Sequence, residues 1–95
     1  MKTIKINATR VSNMQTPNYN PAANQFELYG PDFRAFQSYD SIIVVHKDGK
    51  TYLDYNTWDY SVTTGKYRNM YLGETKKETE KKIESGEYIL AELNG

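Results

Sequence analysis

The chain contains no cysteine. Disulfide frameworks, thiolate zinc sites and cysteine nucleophiles are therefore excluded. It has a single histidine, His46. One imidazole makes neither a zinc set nor a catalytic triad, so His46 reads as an ordinary sheet residue. Charge of one sign is also missing, because 12 Lys and Arg balance 12 Asp and Glu. A dedicated duplex-DNA binder needs a broad basic face to neutralise phosphates, which a neutral chain supplies only locally. Long apolar runs are absent as well. The start MKTIKINATR lacks the apolar core of a signal peptide, and no segment approaches a membrane span of about twenty residues. The expectation is a cytoplasmic protein with no membrane partner, in which the sequon at Asn7 is coincidental. Aliphatic residues are scarce too: Leu, Ile, Val and Phe make roughly 19% of the chain, near the level at which disorder sets in.

Aromatics fill that deficit. Nine tyrosines and one tryptophan can replace aliphatic core, since each ring buries about 150–250 Å². Trp58 and about half of the tyrosines are expected to be core on that ground. Ninety-five residues hold one core, hence one domain spanning 1–95.

The hydrophobic pattern predicts an α+β fold. Ile4 and Ile6 alternate with polar neighbours as in a half-buried strand that continues or bends through Ala8–Met14. Gln15–Gln25, with Pro17 and Pro21, reads as a loop. Gln25–Gly30 and Phe33–Asp40 read as strands, the first with Phe26 and Leu28 on one face. Asp48-Gly49 between two β-rich runs is the strongest hairpin signal, because a type I′ turn needs φ > 0 twice. A two-residue loop pairs Lys47 with Lys50, His46 with Thr51, Val45 with Tyr52 and Val44 with Leu53. Ile42, Val44 and His46 then share one face, and Ile43, Val45 and Tyr52 the other. Thr75 and Glu78 form a capping box opening a helix to about Ser85, with Glu78 and Lys82 as an i, i+4 pair. A shorter helix over Gly65–Leu72 is capped by Ser61, Thr63 or Thr64 and ended by Gly73, with Tyr67, Met70 and Tyr71 on one face and Lys66, Arg68 and Asn69 pointing elsewhere. Glu87–Leu93 returns as a final strand. The sum is a small antiparallel sheet of four or five strands around the hairpin, with one short and one longer helix before a C-terminal strand.

Catalytic motifs fail at named positions. Asp54–Gly65 begins like a calcium loop but has Trp58 at the fifth ligand position and Gly65 at the twelfth. The run Thr64-Gly65-Lys66 resembles the end of a phosphate loop, yet Tyr60 replaces its first glycine and Tyr67 its Ser or Thr. Ser41 and Ser61 lie in no nucleophile motif, and nothing fixes the distance between Asp54 and Asp59. A non-enzyme with no cofactor and no metal site is expected. The functional remainder is a cluster of interface-type residues, Tyr60, Lys66, Tyr67, Arg68, Asn69 and Tyr71, with Tyr55 and Trp58 nearby. The same set suits single-stranded nucleic acid or RNA, rings stacking on bases and Lys66 and Arg68 on phosphates. It also suits a homodimer contact, so both monomer and homodimer stay open.

Trp58–Thr75 with the following Lys76–Tyr88 resembles an uncharacterised family of short proteins carried by phages, plasmids and other mobile elements of Gram-positive bacteria. Its pattern falls here on Trp58, Tyr60-Ser61, Thr63-Thr64, Lys66, Tyr67, Arg68-Asn69 and Tyr71-Leu72. Phe36–Val44 is similar to the family's central strand. The resemblance covers roughly the last sixty residues and implies genomic context more than mechanism. Small cysteine-free proteins of that context include inhibitors of bacterial defence systems, anti-CRISPR proteins among them. What it implies here is a host-protein partner, in its most specific form a CRISPR or other defence nuclease inhibited by occlusion. Neutral charge argues against simple mimicry of DNA.

Overall fold

A computed structural model describes Met1–Gly95. Its elements run β1 (Arg10–Gln15), β2 (Pro21–Tyr29), β3 (Phe33–Ser38), β4 (Ser41–Lys47), β5 (Lys50–Asp54), α1 (Val62–Leu72), α2 (Lys76–Ser85) and β6 (Tyr88–Ala91). The strands form one six-stranded sheet in sequence order. The α+β class and the two helices before a final strand are as expected, while the sheet has six strands rather than four or five. Its character also needs correction. β1 to β5 are antiparallel neighbours, but β6 lies parallel to β5. The two helices between them form a crossover, which returns the chain to the sheet in its original direction. No helix is long and apolar enough to cross a membrane.

The Asp48-Gly49 turn has φ of 55° and 73°, and all four expected cross-strand pairs are present. The faces of the hairpin differ from simple alternation. Phe36 pairs with Val44 and Gln37 with Ile42, so Ile43 is the extra residue of a bulge. Alternation slips by one there. Ile43 therefore packs with Val44, and Ile42 with the cluster containing Val45.

Two further readings change. Lys2–Asn7 forms a single bridge, Thr3 with Glu92, rather than a strand. It is tied to Glu92 at one end, with Ile4 N–H donating at 2.9 Å, and Thr9 N–H donates to the Tyr29 carbonyl at the other. Ile4 is nonetheless buried, as its pattern requires. The proline-rich loop shrinks to Thr16–Asn20, because Pro21 opens β2 opposite Gln15. The first residue of a strand tolerates proline.

The sheet is packed on both faces. On one, Leu28, Phe33, Ala35, Val45 and Tyr52 meet Ile4 and Leu93. On the other, Phe36, Ile43, Val44 and Leu53 meet Tyr67 and Tyr88 under the helices. Of the tyrosines only Tyr52, Tyr67 and Tyr88 are buried, while Tyr19, Tyr39, Tyr55 and Tyr60 are exposed. The core is thus less tyrosine-rich than the composition implied. The Thr75–Glu78 capping box is complete. Lys82, however, pairs with Glu74 at 2.7 Å instead of Glu78. Glu74 also accepts from Thr79 and from the Tyr88 hydroxyl at 2.8 Å, joining α2 to β6.

Candidate functional site

Helix α1 carries most of the expected site residues, and its termini follow the local chemistry. The Ser61 hydroxyl accepts from Thr64 N–H at 3.1 Å, and Gly73 closes the helix at φ 70°. The helix starts three residues before the expected Gly65. Its buried stripe is Thr64, Tyr67 and Arg68, with Tyr71 half-buried. These sit at i, i+3, i+4 and i+7, one helical face. The expected facing is corrected at two positions: Arg68 is turned inward at 1% exposure, and Met70 is turned outward at 42%.

Arg68 can be buried because both of its terminal nitrogens find partners, although its Nε–H is left without one. Nη1 donates to the Trp58 carbonyl at 2.6 Å and to Asp59 at 3.1 Å, and Nη2 donates to Asn69 at 3.0 Å. The guanidinium also lies over the Trp58 ring, 5.2 Å from its centre. Asp59 is bridged in turn to Lys76 at 2.7 Å, at the start of α2. Burial pushes the Asp59 carboxyl up, but the hydrogen bonds from Lys76 and Arg68 outweigh it and hold it below its ordinary value. Deeper in, the hydroxyls of Thr64 and Ser38 share a 2.8 Å hydrogen bond.

The outward stripe of α1 is Val62, Lys66 and Met70, one turn apart, with Tyr60 just before it. Val62 is 91% exposed and Tyr60 48%. Tyr60, Val62, Lys66 and Asn69 line an open cleft with Asp59 and Lys76. The structure thus keeps Tyr60, Lys66 and the half-buried Asn69 together at the surface. It sends Tyr67 and Arg68 into the interior, and Tyr71 to the opposite flank, beside Phe36 and His46 at ring distances of 5.5 and 5.6 Å.

Sequence reasoning missed a second region. Register aligns Arg10, Tyr29, Arg34 and His46 in one row across β1 to β4. The Arg10 guanidinium lies 4.4 Å from the Tyr29 ring centre, and that of Arg34 lies 5.7 Å from the Tyr71 ring. The Tyr29 hydroxyl donates to Glu27 at 2.9 Å; this bond above all, with burial, raises its pKa. Burial, helped by the charge of Arg34, lowers the His46 imidazole to about 4, so it is neutral at pH 7, and its Nδ1 shares a hydrogen bond with Thr51 at 2.9 Å. The row had no local signal, since its members meet only through strand register.

Residues 4–87 match a family of unknown function (DUF8033), and the chain belongs to that family. No curated protein and no solved structure matches it. An uncharacterised family is what the sequence pattern led one to expect; the match carries no phage origin and no anti-defence role.

Proposed function

We propose that this family member is a non-catalytic binding protein that holds a host macromolecule against the outward stripe of α1. One observation carries the reading: α1 turns two polar side chains inward and two apolar ones outward. It buries Thr64 and Arg68 while presenting Val62 and Met70 to solvent. Single exposed apolar residues are ordinary. Here, however, they alternate with Lys66 along one helix face and adjoin Tyr60, which is how an apolar anchor with a polar rim is built. The stripe is also held rigid by two caps and by the Trp58–Asp59–Arg68–Lys76 network. Preorganisation of this kind reduces the ordering penalty of association.

The finer form of the proposal is an inhibitor of a bacterial defence nuclease that acts by covering its working surface, in the host cytoplasm. Its support is the Trp58–Leu72 pattern, whose exposed members include Lys66 on this stripe and Tyr60 just before it. Co-purification with a panel of CRISPR and other defence nucleases, followed by cleavage assays, tests it. One nuclease should be bound and inhibited. Val62→Asp should weaken that association at least tenfold while changing stability by no more than about 0.5 kcal/mol, as expected of a surface substitution. Uninhibited cleavage across the panel contradicts the finer form. Self-association lost in Val62→Asp, seen by light scattering, would instead make the stripe a homodimer contact.

A further inference from the structure

We propose that the open end of the sheet, on its helix-bearing face, binds single-stranded nucleic acid through Arg10, Tyr29, Arg34 and Tyr71. This surface adjoins the α1 stripe only at Met70, which shares a cleft with Glu27 and Tyr71, and its test, made at Arg10, Tyr29 and Arg34, does not depend on that reading.

The helices leave the site open. α1 packs against β3 and α2 against β6, and neither makes a comparable contact with β1 or β2. All of β1 is exposed except the half-buried Met14. The row crosses this uncovered part at Arg10 and Tyr29 and reaches the edge of α1 at Arg34 and His46, which lie against Tyr71. Neighbouring strands lie about 4.8 Å apart, so four strands span about 14 Å. That is roughly the axial length of four stacked nucleotides at about 3.4 Å each.

The chemistry along the row alternates charge and ring. Arg10 and Arg34 are both exposed, and neither has a carboxylate within salt-bridge distance. Each instead rests on a tyrosine, Arg10 on Tyr29 and Arg34 on Tyr71. Guanidinium groups left without acidic partners can exchange the ring contact for a phosphate, to which the planar fork is well matched. The two rings are half-buried and fixed, Tyr29 by its bond to Glu27 and Tyr71 by Phe36 and His46. Fixed rings between cations are the arrangement on which successive bases stack while the backbone is neutralised.

Duplex DNA fits less well. Two free arginines on a chain of zero net charge neutralise few phosphates, and rings contribute nothing to a strand whose bases are already stacked and paired. Glu27 lies on the same face, and its carboxylate accepts from the Tyr29 hydroxyl without being paired to a cation, so it limits the affinity this surface can reach.

Fluorescence anisotropy with labelled oligo(U) and oligo(dT) of about twelve nucleotides, within the usual site-size range, tests the proposal on the full chain. Single strands should bind at low salt, with log K falling against log salt at a slope of about −1.4 for two phosphate contacts. Arg10→Ala and Arg34→Ala should each reduce that slope by about 0.7. Tyr29→Ala should weaken binding about tenfold, whereas Tyr29→Phe keeps the ring and most of the affinity. Val62→Asp, on the other surface, should bind as wild type does. Absence of binding at low salt overturns the proposal. So does unchanged affinity in a folded Arg10→Ala/Arg34→Ala variant, or tighter binding of a duplex of equal length.

Discussion

Arg68→Ala should lower the stability of the fold by about 3 kcal/mol, and Arg68→Lys should recover little of it. Removing one member of a buried, hydrogen-bonded charge pair typically destabilises by about 3–5 kcal/mol, because the groups left behind stay desolvated. Here the Trp58 carbonyl loses the donor at 2.6 Å, Asp59 keeps only Lys76, and the Trp58 ring loses the guanidinium over its face. The lower end of that range is appropriate because Asp59 remains 30% exposed and bridged. Lysine carries the charge but cannot reproduce a fork that reaches the Trp58 carbonyl, Asp59 and Asn69 at once. For a domain of this size the loss corresponds to a fall in Tm of roughly 12–24 °C, readable by calorimetry. A change within about 0.5 kcal/mol, the range of ordinary surface substitutions, would show that Arg68 is not a structural centre.

Asp54→Ala should destabilise by a comparable amount, about 2–4 kcal/mol, since hydrogen bonds to charged groups contribute about 1.5–3 kcal/mol each and their losses here are partly shared. Asp54 is 2% exposed. Its Oδ2 accepts from Thr57 N–H at 3.0 Å, the Thr57 hydroxyl at 2.8 Å and Asn56 N–H at 3.3 Å, shaping the turn that leaves β5. Its Oδ1 accepts from Leu93 N–H at 2.9 Å, fixing the segment after β6 whose side chain packs in the cluster with Ile4. One carboxylate therefore ties the start of the crossover to the segment that follows β6. Urea unfolding measures the loss, and amide exchange locates it: the Leu93 amide should exchange much faster in the variant. Wild-type protection at Leu93 would mean that the carboxylate does not hold the C-terminal segment.

The elements that were legible in the chain are those in which local chemistry demands a particular residue. Asp48-Gly49 announces its hairpin because two consecutive positive φ angles exclude most side chains. Thr75, Glu78, Gly73 and Gly86 announce helix ends because exposed backbone groups need those caps. The match weakens wherever the answer depends on distant partners. Arg-Val-Ser-Asn-Met-Gln, β1, is exposed on both faces except at Met14. It therefore lacks the alternation that marks a strand and is held by pairing with β2. The bulge at Ile43 is invisible in a run of four aliphatic residues, any of which suits either face. Simple alternation consequently places Ile42 and Ile43 on the wrong sides.

The candidate site divides along the same line. Tyr60 and Lys66 are on the surface where the composition placed them. Arg68 is not, because its burial depends on the Trp58 carbonyl and Asp59, which the turn before α1 brings beneath it. A buried stripe of Thr64, Tyr67, Arg68 and Tyr71 has almost no hydrophobic contrast with the exposed stripe of Val62, Lys66 and Met70. Periodicity alone therefore could not orient the helix. Val62 and Met70 had a weak signal, two apolar residues eight apart on one face, but it competed with the more numerous tyrosines.

The inverted facing of α1 is the claim on which the binding surface rests, and the absence of cysteine makes it directly measurable. Single substitutions Val62→Cys, Met70→Cys and Thr64→Cys each introduce the only thiol in the molecule, and its rate of reaction with a disulfide reagent reports access. Thiols at 62 and 70 should react nearly as fast as in unfolded chain, and the thiol at 64 only as fast as the domain opens. A rapidly labelled position 64 with a protected position 62 would contradict the account.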